Sequence, residues 1–79
     1  MLTYPNPARE ELVSVKFNNP NQEEITLRLF DLHGRVVYNA TTTSENVWLD
    51  PSMFDVGMYQ ILLTGEESDT QLVDKLIIH

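Results

Sequence analysis

Cysteine is absent from the 79 residues, so neither a disulfide crosslink nor thiolate chemistry is available. Glycine occurs only three times, which leaves no glycine-rich loop able to cradle a phosphate. Histidine occurs twice, at His33 and His79. A catalytic zinc site takes three protein ligands, and these two sit at a turn and at the chain end, so neither is read as a metal ligand. Ser14, Ser44, Ser52 and Ser68 lack a nucleophile-elbow context. Cations are scarce and scattered: Arg9, Lys16, Arg28, Arg35 and Lys75 stand against twelve carboxylates, for a net charge of −7. Nucleic-acid binding needs clustered cations to displace counterions, and anionic membrane surfaces make the same demand, so both are disfavoured. No apolar stretch approaches the ~20 residues of a membrane-spanning helix. The opening MLTYPNPA has neither the basic n-region nor the h-region of a signal peptide. No group of residues resembles an active site, so neither catalysis nor a cofactor is expected.

What is present is a two-residue alternation of apolar side chains, the signature of half-buried strands. Val13, Val15 and Phe17 share one face, as do Ile25, Leu27 and Leu29. Val36 and Tyr38 follow, then Val47 and Leu49, then Tyr59, Ile61 and Leu63, then Leu72 and Val73 with Leu76, Ile77 and Ile78. Leu12 is out of step with Val13, which predicts a β-bulge or a residue lying just ahead of the strand. Trp48 is a candidate filler between sheets, although its parity between Val47 and Leu49 points it outward.

Turn chemistry separates these runs. Asn18-Asn19-Pro20-Asn21 reads as a loop. Asp31-Leu32-His33-Gly34 reads as a type I turn closed by a left-handed glycine, a three-residue hairpin with a bulge. Asp50-Pro51 suits the cap and first position of one short helical turn. The glutamate pairs Glu10-Glu11, Glu23-Glu24 and Glu66-Glu67 are read as solvated caps. Asp50, Asp55 and Asp69 are the candidate calcium ligands, but no closely spaced Asp-x-Asp pattern accompanies them, so structural roles are preferred.

Asp55-Val56-Gly57-Met58-Tyr59-Gln60-Ile61 narrows the fold. Immunoglobulin-type sandwiches carry a corner tyrosine two residues before the second cysteine, its ring in the core and its hydroxyl bonded to upstream backbone. Ile61 stands where that cysteine would be. The expectation is an all-β, Ig-like antiparallel sandwich of about seven strands, Greek-key in type and without a disulfide. Residues 1–10 are expected to form an extended N-terminal junction or first edge segment, with the sandwich over residues 11–79. Pro5 and Pro7 cannot donate backbone hydrogen bonds, and Pro7 biases Asn6 toward an extended shape, so this stretch is expected to leave the sandwich as a stiff lead. Met1, four positions ahead of Pro5-Asn6-Pro7, reads as a piece of a longer protein cut on its N-terminal side.

Four stretches together resemble the C-terminal sorting domain of the type IX secretion system of the Bacteroidetes. They are Tyr4-Pro5-Asn6-Pro7-Ala8, Leu29 through Val37 with its Asp31-Leu32-His33-Gly34-Arg35 turn, Leu49 through Leu63, and the basic-then-aliphatic ending Lys75-Leu76-Ile77-Ile78-His79. The family usually has Asp or Asn where Glu10 stands, which leaves the construction of the first turn open. The resemblance implies a secretion signal at the end of a larger cargo, read by the type IX translocon. It implies passage from the periplasm across the outer membrane to the cell surface or beyond. It also implies removal by a sortase-like peptidase, near or upstream of Leu2, with surface attachment of the cargo. Lys75 to His79, Gly34, Arg35, Pro5, Asn6 and Pro7 become the candidate recognition residues, while Asp31, Asp55, Gly57 and Tyr59 hold structure. Arg35 is either an exposed recognition group or the partner of Asp31.

The final strand is expected near a sheet edge, where free backbone groups could serve strand addition by the translocon or self-association. The competing reading is an Ig- or fibronectin-like accessory module for glycans or cell-surface proteins. In that reading Tyr4, Tyr38 and Trp48 would supply a stacking platform, with Tyr59 committed to the core.

Overall fold

The computed structural model describes residues Met1–His79 and contains seven strands. In chain order these are β1 (Leu2–Tyr4), β2 (Val13–Lys16), β3 (Ile25–Phe30), β4 (Val36–Thr42), β5 (Asn46–Leu49), β6 (Gly57–Gly65) and β7 (Gln71–Ile78). They form two antiparallel sheets, ordered β1-β2-β5 and β4-β3-β6-β7. The chain crosses between sheets after β2, β4 and β5, while β3-β4 and β6-β7 are hairpins within one sheet. Compared with the four-plus-three constant-type immunoglobulin sandwich, the fourth strand here stays beside the third.

The alternation in the sequence becomes the core. Val13, Val15, Leu27, Leu29, Leu49, Ile61 and Leu76 are almost wholly buried between the sheets. Each such side chain contributes about 1.5–3 kcal/mol relative to exposure. Leu76 and Ile78 point inward and Ile77 outward, so the apolar tail is half core and half surface. Leu12 lies outside the strand and is exposed, because β2 begins at Val13. Trp48 faces outward and is 59% exposed. With the Asn46 side-chain amide turned to satisfy its neighbours, its oxygen accepts the Trp48 indole N–H at 2.9 Å.

Loops at one end of the sandwich are organised by Asn19, which is 4% exposed. Its Nδ2 donates to the carbonyls of Glu23 (2.9 Å) and Thr43 (3.0 Å), and its Oδ1 accepts from Glu23 N (3.1 Å). Glu23 in turn accepts from the backbone N–H groups of Glu67 and Ser68, each at 3.1 Å. The Glu23 carboxylate therefore ties two loops together and is not a simple solvated cap. Hydrogen bonds from the Ser68 side chain and amide, with a further one from Glu67, hold it below the usual carboxylate range. Gly65 makes room for it: a Cβ there would lie 2.5 Å from Glu23 Oε1.

Candidate functional site

The two ends of the chain meet. After β1 the chain leaves the three-stranded sheet and crosses to the outer edge of β7. The crossing falls at Pro5 and Pro7, which have no N–H to leave unpaired. Both X-Pro peptide bonds are cis. Asn6 then binds β7 with its side chain: Nδ2 donates to Lys75 O at 2.8 Å, and Oδ1 accepts from Ile77 N at 3.0 Å. Ala8, fully buried, continues with backbone bonds, N to Ile77 O at 2.7 Å and O from His79 N at 2.8 Å. Pro5 through Ala8 is thus a clasp laid along the last strand and not a lead projecting from the sandwich.

The clasp changes the status of the edge. β7 does lie at the margin of its sheet. From Lys75 to His79, however, its outward backbone groups are taken by Asn6 and Ala8, and Lys75 N donates to Asp74 Oδ1 at 2.8 Å. The open template expected at the tail is therefore closed, because the N-terminal segment has already added itself there.

At the same end of the sandwich, across β6 and β7 from the clasp, lies the β3–β4 turn. Asp31 Oδ1 accepts from His33 N (2.8 Å) and Arg35 N (3.0 Å), and Gly34 N donates to Asp31 O at 3.1 Å. Gly34 takes the left-handed conformation, φ +79°, that a side chain would resist. Phe30 opposes Val36 while Leu29 opposes Tyr38, so Val37 is the bulged residue. Arg35 Nε donates to Asp31 Oδ2 at 2.9 Å, yet its side chain remains 74% exposed. Arg35 is therefore partner to Asp31 and open to solvent at once. The Arg35 backbone N–H, then that of His33 and the guanidinium, hold the Asp31 carboxyl below the ordinary aspartate range.

The corner tyrosine completes this end. Tyr59 is buried and its hydroxyl donates to Asp55 O at 2.6 Å, so Asp55 serves through its backbone. Burial first, and the Asp55 and Asp31 carboxylates next, push the Tyr59 phenol upward. Phe54 packs against it and against Tyr38, with ring centroids 6.0 and 5.8 Å away. Gly57 pairs with Ile78 and Met58 with Ile77, joining the corner to the tail. Asp31, Gly34, Met58 and Lys75 line one shallow depression of about 320 Å3. All four sequence stretches are gathered at this end of the sandwich, although the bonds from Asn6 to Lys75 and Ile77 span 69 and 71 residues.

The remaining candidates are committed elsewhere. Asp50 Oδ1 accepts from Ser52 N (3.0 Å) and Ser52 Oγ (2.7 Å), capping the short 3-10 turn Pro51–Met53. Tyr4 and Trp48 both oppose Ser14 on the outer face of the three-stranded sheet, whereas Tyr38 and Tyr59 lie on the other sheet. Lys16 Nζ sits 5.7 Å from the Tyr4 ring centroid. No three His, Cys, Asp or Glu side chains converge on a point that could hold a metal. What the site offers is a shaped polar and apolar surface, with no nucleophile–base pair.

Sequence reasoning missed Asn19 and the reach of Glu23. Both look like ordinary loop residues, and only their burial or bonding partners across the fold distinguish them. No curated protein matches the chain. The family model described as the secretion system C-terminal sorting domain matches residues 2–79, all but the first residue. The chain belongs to that family, the C-terminal sorting domains of type IX secretion.

Proposed function

We propose that the domain is the signal by which an attached upstream cargo crosses the outer membrane through the type IX machinery, and that it is then removed by a sortase-like peptidase as the cargo is fixed to the cell surface. The observation that carries this reading is the family match over nearly the whole chain. The gathering of the four motif stretches at one end of the sandwich supports it further, since a translocon component docking there meets them together.

Within this reading the domain is a substrate and not a catalyst. The translocon reads the surface at this end: Lys75 and His79 from the tail, the Gly34-Arg35 turn with its exposed guanidinium, and Pro5, Asn6 and Pro7 from the clasp. Strand addition at Lys75 to His79 would first have to displace Asn6 and Ala8. The cleavage point lies upstream of Leu2. A peptidase needs its substrate strand unpaired, and Leu2 to Tyr4 is paired with β2 while Asn6 and Ala8 are bound to β7. The domain then leaves as an intact fold.

The test is a fusion of the 79 residues to the C-terminus of a periplasmic reporter in a type IX-competent host. The expected result is reporter at the cell surface or in the medium. Retention of the folded fusion in the periplasm overturns the reading.

A further inference from the structure

The charge of this molecule is unevenly placed. Eleven of the twelve carboxylates lie outside the strands, in loops, turns and caps, and the twelfth, Asp74, opposes the inward-facing Ile61. The outer face of the four-stranded sheet consequently carries no acidic residue. The register builds this face in rows. Thr41, Thr26, Thr64 and Gln71 form a polar row at one end, Asn39, Arg28, Leu62 and Val73 form the next, and Val36, Phe30, Gln60 and Lys75 the one after. Met58 beside Ile77 closes it toward the motif-bearing end.

Three apolar side chains on this face are substantially open: Val36, Met58 and Val73 are 50%, 44% and 60% exposed. Phe30, Leu62 and Ile77 between them are half-buried. The only ion pair in the molecule is Asp31–Arg35, so Arg28 and Lys75 have no carboxylate partner. Two strand spacings and one two-residue step separate them, about 12 Å. An acidic protein has thus kept one sheet face free of acidic side chains, with an apolar patch of Phe30, Met58, Leu62, Val73 and Ile77 set among uncharged polar residues and two unpaired cations.

Resting on the sorting reading above, we infer that this face docks a protein surface of the secretion machinery that is apolar and bears carboxylates placed to meet Arg28 and Lys75. Charge complementarity selects that occupant. A second copy laid face to face would bring no strand carboxylate to either cation. An anionic membrane would be drawn by only two cations and repelled by a chain at −7.

The experiment uses the reporter fusion with substitutions on each face. Arg28→Glu and the exposed Val73→Glu are expected to lower export by about tenfold or more, since placing like charges across an interface costs several kcal/mol. Arg28→Lys keeps the charge and should stay within about twofold of the parent, as should Lys16→Glu on the opposite sheet. Thermal melts of the free domain show whether each variant folds; Val73→Glu, at an exposed edge position, covers the case in which Arg28→Glu does not. Export of the parent together with a folded Val73→Glu variant overturns the inference and leaves the sorting reading standing. Retention of the parent overturns both. A dimer by light scattering that Val73→Glu dissociates, or cosedimentation of the domain with phosphatidylglycerol vesicles that Arg28→Glu abolishes, assigns the face to another occupant and also overturns it.

Discussion

The carboxamide of Asn6 accepts the amide proton of Ile77, 71 residues away, at 3.0 Å. The same group donates to the carbonyl of Lys75, so one side chain matches a donor and an acceptor on the strand edge. A carboxamide carries a donor and an acceptor at the spacing of a peptide group, and it imitates one more rung of sheet without the N–H that the flanking prolines lack. From Lys75 to His79 the edge is thereby closed to other chains by the first part of the protein itself.

Asn6→Ala should open that edge. Each lost bond is worth about 0.5–1.5 kcal/mol net, because water can reach the freed groups. The expected loss is therefore about 1–3 kcal/mol in denaturant unfolding. Ile77 amide exchange should accelerate more than that of Leu76, whose N–H is not turned toward the clasp. Unchanged Ile77 exchange would show that Asn6 contributes nothing to the edge.

Asn19→Ala should be costlier, although Asn19 is also a loop residue. Its amide satisfies carbonyls from two separate loops inside a nearly closed site. Orphaning them costs about 2–3 kcal/mol. Asn19→Asp should do no better, since a second oxygen would face those same carbonyls. Urea titration of the two variants checks this, and a loss under about 0.5 kcal/mol would mean that water replaces the amide freely.

Removing the corner hydroxyl with Tyr59→Phe deletes the bond to Asp55 O. The ring stays in the core and Asp55 is exposed, so about 1 kcal/mol is expected. A small fall in melting temperature with an unchanged fold by circular dichroism is the predicted outcome.

The depressed carboxyl of Asp31 sets an acid dependence. Its folded value lies below the unfolded one, so the unfolded chain takes up the proton first as pH falls. The stability it contributes is complete above the ordinary aspartate range. It is lost as pH drops through the lower folded value. Glu23 and Asp50, both also depressed by hydrogen bonds, act in the same direction. A carbon-detected carboxyl titration should place Asp31 below an ordinary aspartate, and Asp31→Asn should flatten the acid limb of the stability curve. An ordinary titration midpoint for Asp31 would contradict the turn geometry.

Much of this architecture was legible because it is local. The alternation from Val13 to Ile78 identifies which residues face the core, since side chains on a strand reverse face at every step. The turn at Asp31–Gly34, the Asp50 cap and the Tyr59 corner are short-range chemistry with fixed residue demands. The Pro-Asn-Pro stretch was legible as a stretch that cannot donate backbone bonds, but not as a clasp. The glutamate pair at Glu23 looked like solvated surface because its partners, Glu67 and Ser68, lie more than forty residues on.

By itself, then, the sequence determined an all-β chain, its inward and outward faces, its turns and its family. Only the tertiary structure decided that the β3-β4 hairpin joins β6 and β7 in one sheet, that the tail's edge is occupied, and that the four motifs reach one end. It alone decided that the outer face of the larger sheet is free of carboxylates. The reason is physical. Periodicity and turn propensity act within a few residues, whereas sheet order and edge pairing depend on which distant strands bury their apolar faces together.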